Sequence, residues 1–140
     1  FKNPLNNHFL AVSELKIHNR GYHRRADIIG FVNGLPLIFI ELKAHNVDVK
    51  NAYTDNYKDY QDAIPQLFYY NAFSILSNGA EAKVGTLNSK YAFFHEWKRL
   101  KEEETGSVAL ETALRGLCKK ENFIDIFENF NNMKRGKTKW

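Results

Sequence analysis

Residues 24–46 read RRADIIGFVNGLPLIFIELKAHN, and the Asn33-Gly34 pair inside them constrains the fold more than any other stretch. Asn-Gly between two apolar runs is the strongest short-range hairpin signal, because both residues tolerate the positive φ of a tight turn. Asp27 to Val32 is therefore predicted as one strand, and Leu37 to Lys43 as its antiparallel return. The return strand is apolar on both faces, as a central strand covered on both sides should be. Strand alternation sets Glu41 and Lys43 on one face, with Ile40 and Leu42 on the other. A charge in such a strand costs several kcal/mol unless it is paired or bound to a metal.

The turn decides what Glu41 meets. A three-residue loop, Asn33 to Leu35, brings Asp27 opposite Glu41. A two-residue loop shifts the register by one and turns Asp27 to the opposite face. Pro36 leaves the turn type open, and the three-residue loop is the expectation that makes a site. Two carboxylates side by side repel unless a cation lies between them. Oxygen ligands of this kind suit Mg²⁺, which keeps several waters and shares its site with a phosphate. A lysine beside them can orient or deprotonate an attacking water and stabilise developing negative charge. The competing reading is an Asp–Lys or Glu–Lys ion pair capping a strand end, and the bare D-x13-E-x-K spacing favours it.

The rest of the chain places this hairpin in a mixed α/β layer. Residues 9–17 read as a strand or a helix-to-strand entry, and HNRGYHRR as a polar loop. Residues 49–64 read as a helix, with Tyr53, Tyr57, Tyr60 and Ile64 at steps of three and four. Pro65 interrupts it. A second hairpin is expected around Asn78-Gly79. FFHEWKRLKEEE leads to a charged connector near Gly106. Residues 108–119 and 122–130 read as amphipathic helices, and a basic tail follows from Gly136. This order predicts a mixed central β-sheet flanked by helices.

Length and composition narrow the function classes. A chain of 140 residues is enough for one domain with a real core. No apolar run approaches the roughly 20 residues of a membrane span, and no signal peptide is visible. The single cysteine, Cys118, excludes an internal disulfide and reads as a small buried apolar residue. The net charge of +4 permits a polyanionic partner without requiring one. The aromatic residues fall mostly at core-like spacing. Five scattered histidines, His45 among them, show no zinc spacing, and no G-x-x-x-x-G-K-[S/T] marks an ATP site. His23, Arg24 and Arg25 flank the predicted site and could grip phosphates; a solvated loop is the competing reading.

RRADIIGFVNGLPLIFIELK resembles the start of the nuclease domain in the R (motor) subunit of type I restriction endonucleases, a branch of the PD-(D/E)xK superfamily. IPQLFYYNAFSILSNGAEAKVGTL, FFHEWK and LETALRGLCKKENFIDIFENF resemble later parts of the same domain. The resemblance implies a restriction-endonuclease-like core. Asp27, Glu41 and the Leu42 carbonyl would hold Mg²⁺, and Lys43 would position the nucleophile. Ala26 stands where the family has proline. The family's Q-x-x-x-Y falls on Asn56 and Tyr60, so the glutamine is replaced by a shorter amide. A literal Q-x-x-x-Y at Gln66 and Tyr70 lies beyond Pro65 and aligns with another segment. The family's further upstream glutamate has one acidic counterpart, Glu14, unless the helix that carries it precedes Phe1. Residues 1–140 would then be one endonuclease domain, a fragment of a longer motor subunit in a prokaryotic cytoplasm. Its partners would be duplex DNA and the methyltransferase and specificity subunits. ATP and S-adenosylmethionine would serve the full complex and not this domain. Two alternatives stay open: a non-catalytic DNA-binding or docking module of the same fold, and a structure-specific nuclease of the same superfamily.

Overall fold

A computed structural model describes residues 3–96 and 109–125 of the chain. The Gly106 connector, the end of the last predicted helix and the basic tail lie outside the described residues. The core is one six-stranded sheet with strands in chain order: β1 (Phe9–Asn19), β2 (Tyr22–Val32), β3 (Leu35–Leu42), β4 (Phe73–Ser77), β5 (Ala82–Gly85) and β6 (His95–Glu96). Neighbouring strands are antiparallel except β3 and β4, which are parallel. Parallel neighbours need a crossover, and the chain supplies a helical rod over residues 49–63. The predicted mixed α/β sheet is observed, with β3 inside it.

The rod is less regular than its spacing predicts. α1 (Val49–Asn51) runs into a π-helical segment (Ala52–Tyr57) and then α2 (Lys58–Ala63). Asp48 caps its start by accepting the Lys50 N–H. Ala52 and Tyr57, five apart, are both buried, the spacing of one π turn. Pro65 opens a 3₁₀ turn (Pro65–Phe68) and closes the rod, as predicted.

The rod covers one sheet face with Tyr57, Tyr60 and Ile64 against Phe39, Ile29 and Leu76. α3 (Ala109–Leu117) and the helical residues 120–125 serve the other face, where Ala113, Phe123 and Ile124 meet Ile38, Ile40 and Phe73. Cys118 packs partly buried against this second cluster, and burial pushes its thiol up to about 11. No helix among the described residues is long and apolar enough to cross a membrane.

Two sequence expectations about the hairpins are corrected. HNRGYHRR is not a loop: β1 and β2 run through it and are joined by a tight turn at Arg20 and Gly21, with φ of 45° and 85°. The Asn33–Gly34 turn has two residues rather than three, with φ of 51° and 80°. A two-residue turn alone would have turned Asp27 away from Glu41. A bulge undoes that shift. Phe31 pairs with Pro36 and Gly30 with Ile38, leaving Leu37 without a partner. One extra residue on β3 moves the register by one and restores the alignment in which Asp27 approaches Glu41.

Candidate active site

β2 and β3 pair as far as Ile28 and Ile40, and the ladder ends there. One step on, Asp27 Oδ2 accepts the Leu42 N–H at 2.8 Å. β3 stays held on its other side: Glu41 and Leu42 pair with Leu76 and Ser77, and the Lys43 N–H donates to the Ser77 carbonyl at 2.8 Å. The two strands therefore part at the level of Asp27 and Glu41.

Glu41 is only 3% exposed, and its Oε2 has no hydrogen-bond partner. Burial pushes its carboxyl from the ordinary 4.5 up to about 8; the Asp27 charge adds to the rise and Lys43 opposes it. Asp27, Glu41 and Lys43 are thus electrostatic neighbours. A bare buried carboxylate oxygen beside a second carboxylate is the arrangement that a cation or a shared proton relieves. Among the described residues no three His, Cys, Asp or Glu side chains cluster as a metal site. Two carboxylates and a main-chain carbonyl still fit Mg²⁺, which takes one or two carboxylates and fills its shell with water.

The rod brings the amide and the phenol to this place. Asn56 rides on the π-helical segment, and π turns recur at functional sites. The Tyr60 hydroxyl donates to the Arg25 carbonyl at 2.8 Å, and its ring meets Phe39 edge-on at 5.9 Å. Burial raises the Tyr60 pKa; the charges of Glu41 and Asp27 act in the same direction, and a hydrogen bond from Asn56 opposes them. Tyr60 is therefore coupled to both carboxylates. Asn56 Oδ1 is a second buried oxygen without a partner.

Other expected residues are placed differently. Arg24 is not free to grip phosphate: it forms a two-pronged pair with Asp59 of α2 at 2.6 and 3.0 Å. Arg25 is exposed, with a loose ion pair to Glu14 at 3.4 Å. Glu14 stands on β1 between the pairs Ser13–Ile28 and Leu15–Ala26, at the level of Asp27, with a φ of 52°. That left-handed backbone coincides with a break in alternation. Ala26 and Ile29, three apart, both join the rod-side cluster, which strict alternation forbids. Asp27 lies at the crossing. His23 faces His18 across the hairpin, His45 is exposed, and Tyr70 is exposed beyond Pro65. Asp59 was not foreseen, and no local signal points from position 59 to position 24.

The profile of the family described as type I restriction enzyme R protein N terminus matches residues 1–93. The type I restriction enzyme HindI endonuclease subunit of Haemophilus influenzae is 37% identical over an alignment of 134 residues, covering 89% of this chain. A protein provisionally named the MjaIXP type I endonuclease subunit, from Methanocaldococcus jannaschii, is 29% identical over 93% of this chain. The SsaAORF53P endonuclease subunit of Staphylococcus saprophyticus is 27% identical over 78% of it. The alignments span 13%, 15% and 12% of those three proteins, so this chain corresponds to a small part of each. The chain belongs to the type I restriction enzyme R protein N-terminal family.

Proposed function

We propose that residues 1–140 are the Mg²⁺-dependent DNA endonuclease domain of a type I restriction enzyme R subunit, built on a restriction-endonuclease-like (PD-(D/E)xK) core. Its reaction is hydrolysis of phosphodiester bonds in unmodified duplex DNA. The observation that carries this reading is the buried Glu41 oxygen without a partner, beside Asp27, where β2 and β3 part. Asp27, Glu41 and the Leu42 carbonyl would hold Mg²⁺, which when bound supplies Lewis-acid stabilisation of phosphoryl charge.

This chain's own residues would do the rest. The Lys43 ammonium orients the attacking water and offsets charge that grows on the phosphate. The Asp27 bond to the Leu42 N–H fixes the Asp27 carboxylate and the end of β3 together. Tyr60 holds the β2 backbone through the Arg25 carbonyl, two residues from Asp27. Translocation on ATP, target recognition and methylation with S-adenosylmethionine belong to a motor region and to specificity and methyltransferase subunits outside this chain, in a prokaryotic cytoplasm.

Titration calorimetry with Mn²⁺ tests the site. Wild type should bind, and Glu41→Gln should lose at least tenfold in affinity, because one charged ligand is gone. In the complete enzyme, Asp27→Ala should abolish plasmid cleavage. Undiminished Mn²⁺ affinity in Glu41→Gln together with wild-type cleavage by Asp27→Ala would reduce the cluster to a structural ion pair.

A further inference from the structure

The far half of the β1–β2 hairpin carries charge that the carboxylate site does not use. His18 faces His23, and Lys16 faces Arg25, across the two strands. Their neighbours Ile17 and Arg24 point to the rod, since Ile17 packs on the rod-side cluster and Arg24 reaches Asp59. Alternation therefore turns Lys16, His18, His23 and Arg25 to the face away from the rod. All four are exposed. The two imidazoles meet edge to face, their Nδ1 atoms in contact. The one ion pair that reaches this ladder among the described residues is Glu14–Arg25, at 3.4 Å with both side chains more than half exposed. Solvent screens such a pair to little net value.

Like charges directly opposed across strands destabilise a sheet. Lys16 against Arg25 is such a rung, so the hairpin carries a repulsion that an anion would remove. Successive rungs lie about 6.6 Å apart at two residues each. Arg25 is two residues from Asp27, so along β2 the ladder starts about 7 Å from Asp27 and runs to about 13 Å at His23. The partner it fits carries regularly spaced negative charge along an extended line, as a nucleic-acid backbone does. A transition-metal ion on the imidazole pair would sit between Lys16, Arg25 and their like charge. The ladder also presents no apolar side chain to a lipid surface.

We propose that this ladder is a clamp for the DNA backbone: Lys16 and Arg25 contact phosphates one step along β2 from Asp27, and the imidazoles of His18 and His23 donate to the next phosphate along. The identity of the polyanion as duplex DNA rests on the nuclease reading. The site replaces Arg24, held by Asp59, as the grip on substrate.

The test is binding of a fluorescent 20-base-pair duplex to the chain in EDTA across a salt series. Lys16→Gln/Arg25→Gln should weaken binding about tenfold or more at 0.1 M salt and make the log–log salt slope shallower by about 2, near 0.9 per lost phosphate contact. The same double variant, freed of its like-charge rung, should melt at or above the wild-type temperature, which separates lost contacts from lost folding. His18→Gln/His23→Gln should lose a few-fold. No binding by wild type, or unchanged affinity and slope in both double variants, would overturn the clamp. So would Zn²⁺ binding that depends on the two histidines while DNA binding does not. Cleavage by the complete enzyme carrying Asp27→Ala reports on the nuclease reading separately: cutting that persists would remove that reading and leave the salt slopes standing.

Discussion

Glu41 gives the metal-free chain a pH response opposite in sign to that of an ordinary ion-paired carboxylate. Its carboxyl titrates near 8 when folded, against an ordinary 4.5. Between those values the folded chain keeps a proton that the unfolded chain has released. Glu41's contribution to stability therefore falls as pH rises through that window: it is fully present below about 4.5 and lost above about 8. The loss should amount to a few kcal/mol. Urea melts in chelator at pH 5 and pH 8.5 should show it. Glu41→Gln should flatten the dependence and be the more stable protein at pH 8.5. Added Mg²⁺ should restore wild type at that pH and leave Glu41→Gln almost unmoved, since a cation relieves the same repulsion that the substitution removes. Equal pH profiles for the two proteins would mean that Oε2 is satisfied in solution. The sequence alone showed that Asp27, Glu41 and Lys43 needed a common explanation, because a charged residue stood in an apolar strand. It could not show which carboxylate would be buried, which depends on how the rod packs on the sheet, as in the Tyr60–Phe39 contact.

At the scale of elements, periodicity identified the sheet and the rod, and two irregularities escaped it. The Asn33–Gly34 turn followed its residue types closely, and its two-residue form would have been fatal to the site without the bulge at Leu37. A bulge has no composition of its own; Pro36 and the unpaired Leu37 become legible only when both strands are known. The π-helical segment similarly hides behind tyrosines spaced by three and four. A third device is steric. A Cβ on Gly85 of β5 would lie 2.7 Å from the Phe94 ring. Phe94 cannot withdraw, because Tyr53 and Tyr57 pack against it with ring centres 5.5 and 5.6 Å away. Gly85→Ala should therefore cost about 1–3 kcal/mol in chemical denaturation, the usual penalty of overpacking a tight core. Pairing it with Phe94→Leu should recover part of that loss relative to the sum of the single changes. Strict additivity would place the strain elsewhere.

For the whole molecule, the long β1–β2 ribbon was the largest misreading. The far end of the ribbon is polar on both faces, with His18, His23 and Arg25 on one and Asn19 and Arg24 on the other, so HNRGYHRR resembles a loop; pairing across the hairpin, not composition, makes it strand. The Arg24–Asp59 tie, spanning 35 positions, lies beyond any local signal. The chain carries no G-x-x-x-x-G-K-[S/T] and spans 13% and 15% of two of its relatives, and the proposed function assigns translocation to a region outside it. Cutting and translocation should therefore separate by mutation. In the proposed mechanism Lys43 acts on charge that develops only in the transition state, so it should contribute little to holding DNA. In the complete enzyme, Lys43→Ala should lower plasmid cleavage by about 10²-fold or more, the loss expected when one preorganised group facing transition-state charge is removed. ATP hydrolysis and translocation should stay within about twofold of wild type, because Lys43 lies one residue past the end of β3, beside Glu41, and the proposed motor lies outside this chain. Measuring supercoiled-plasmid linearisation and ATPase rate on the same preparations decides the matter. Loss of both activities together would mean that Lys43 supports assembly of the complex, and normal linearisation would move the chemistry away from the gap between β2 and β3.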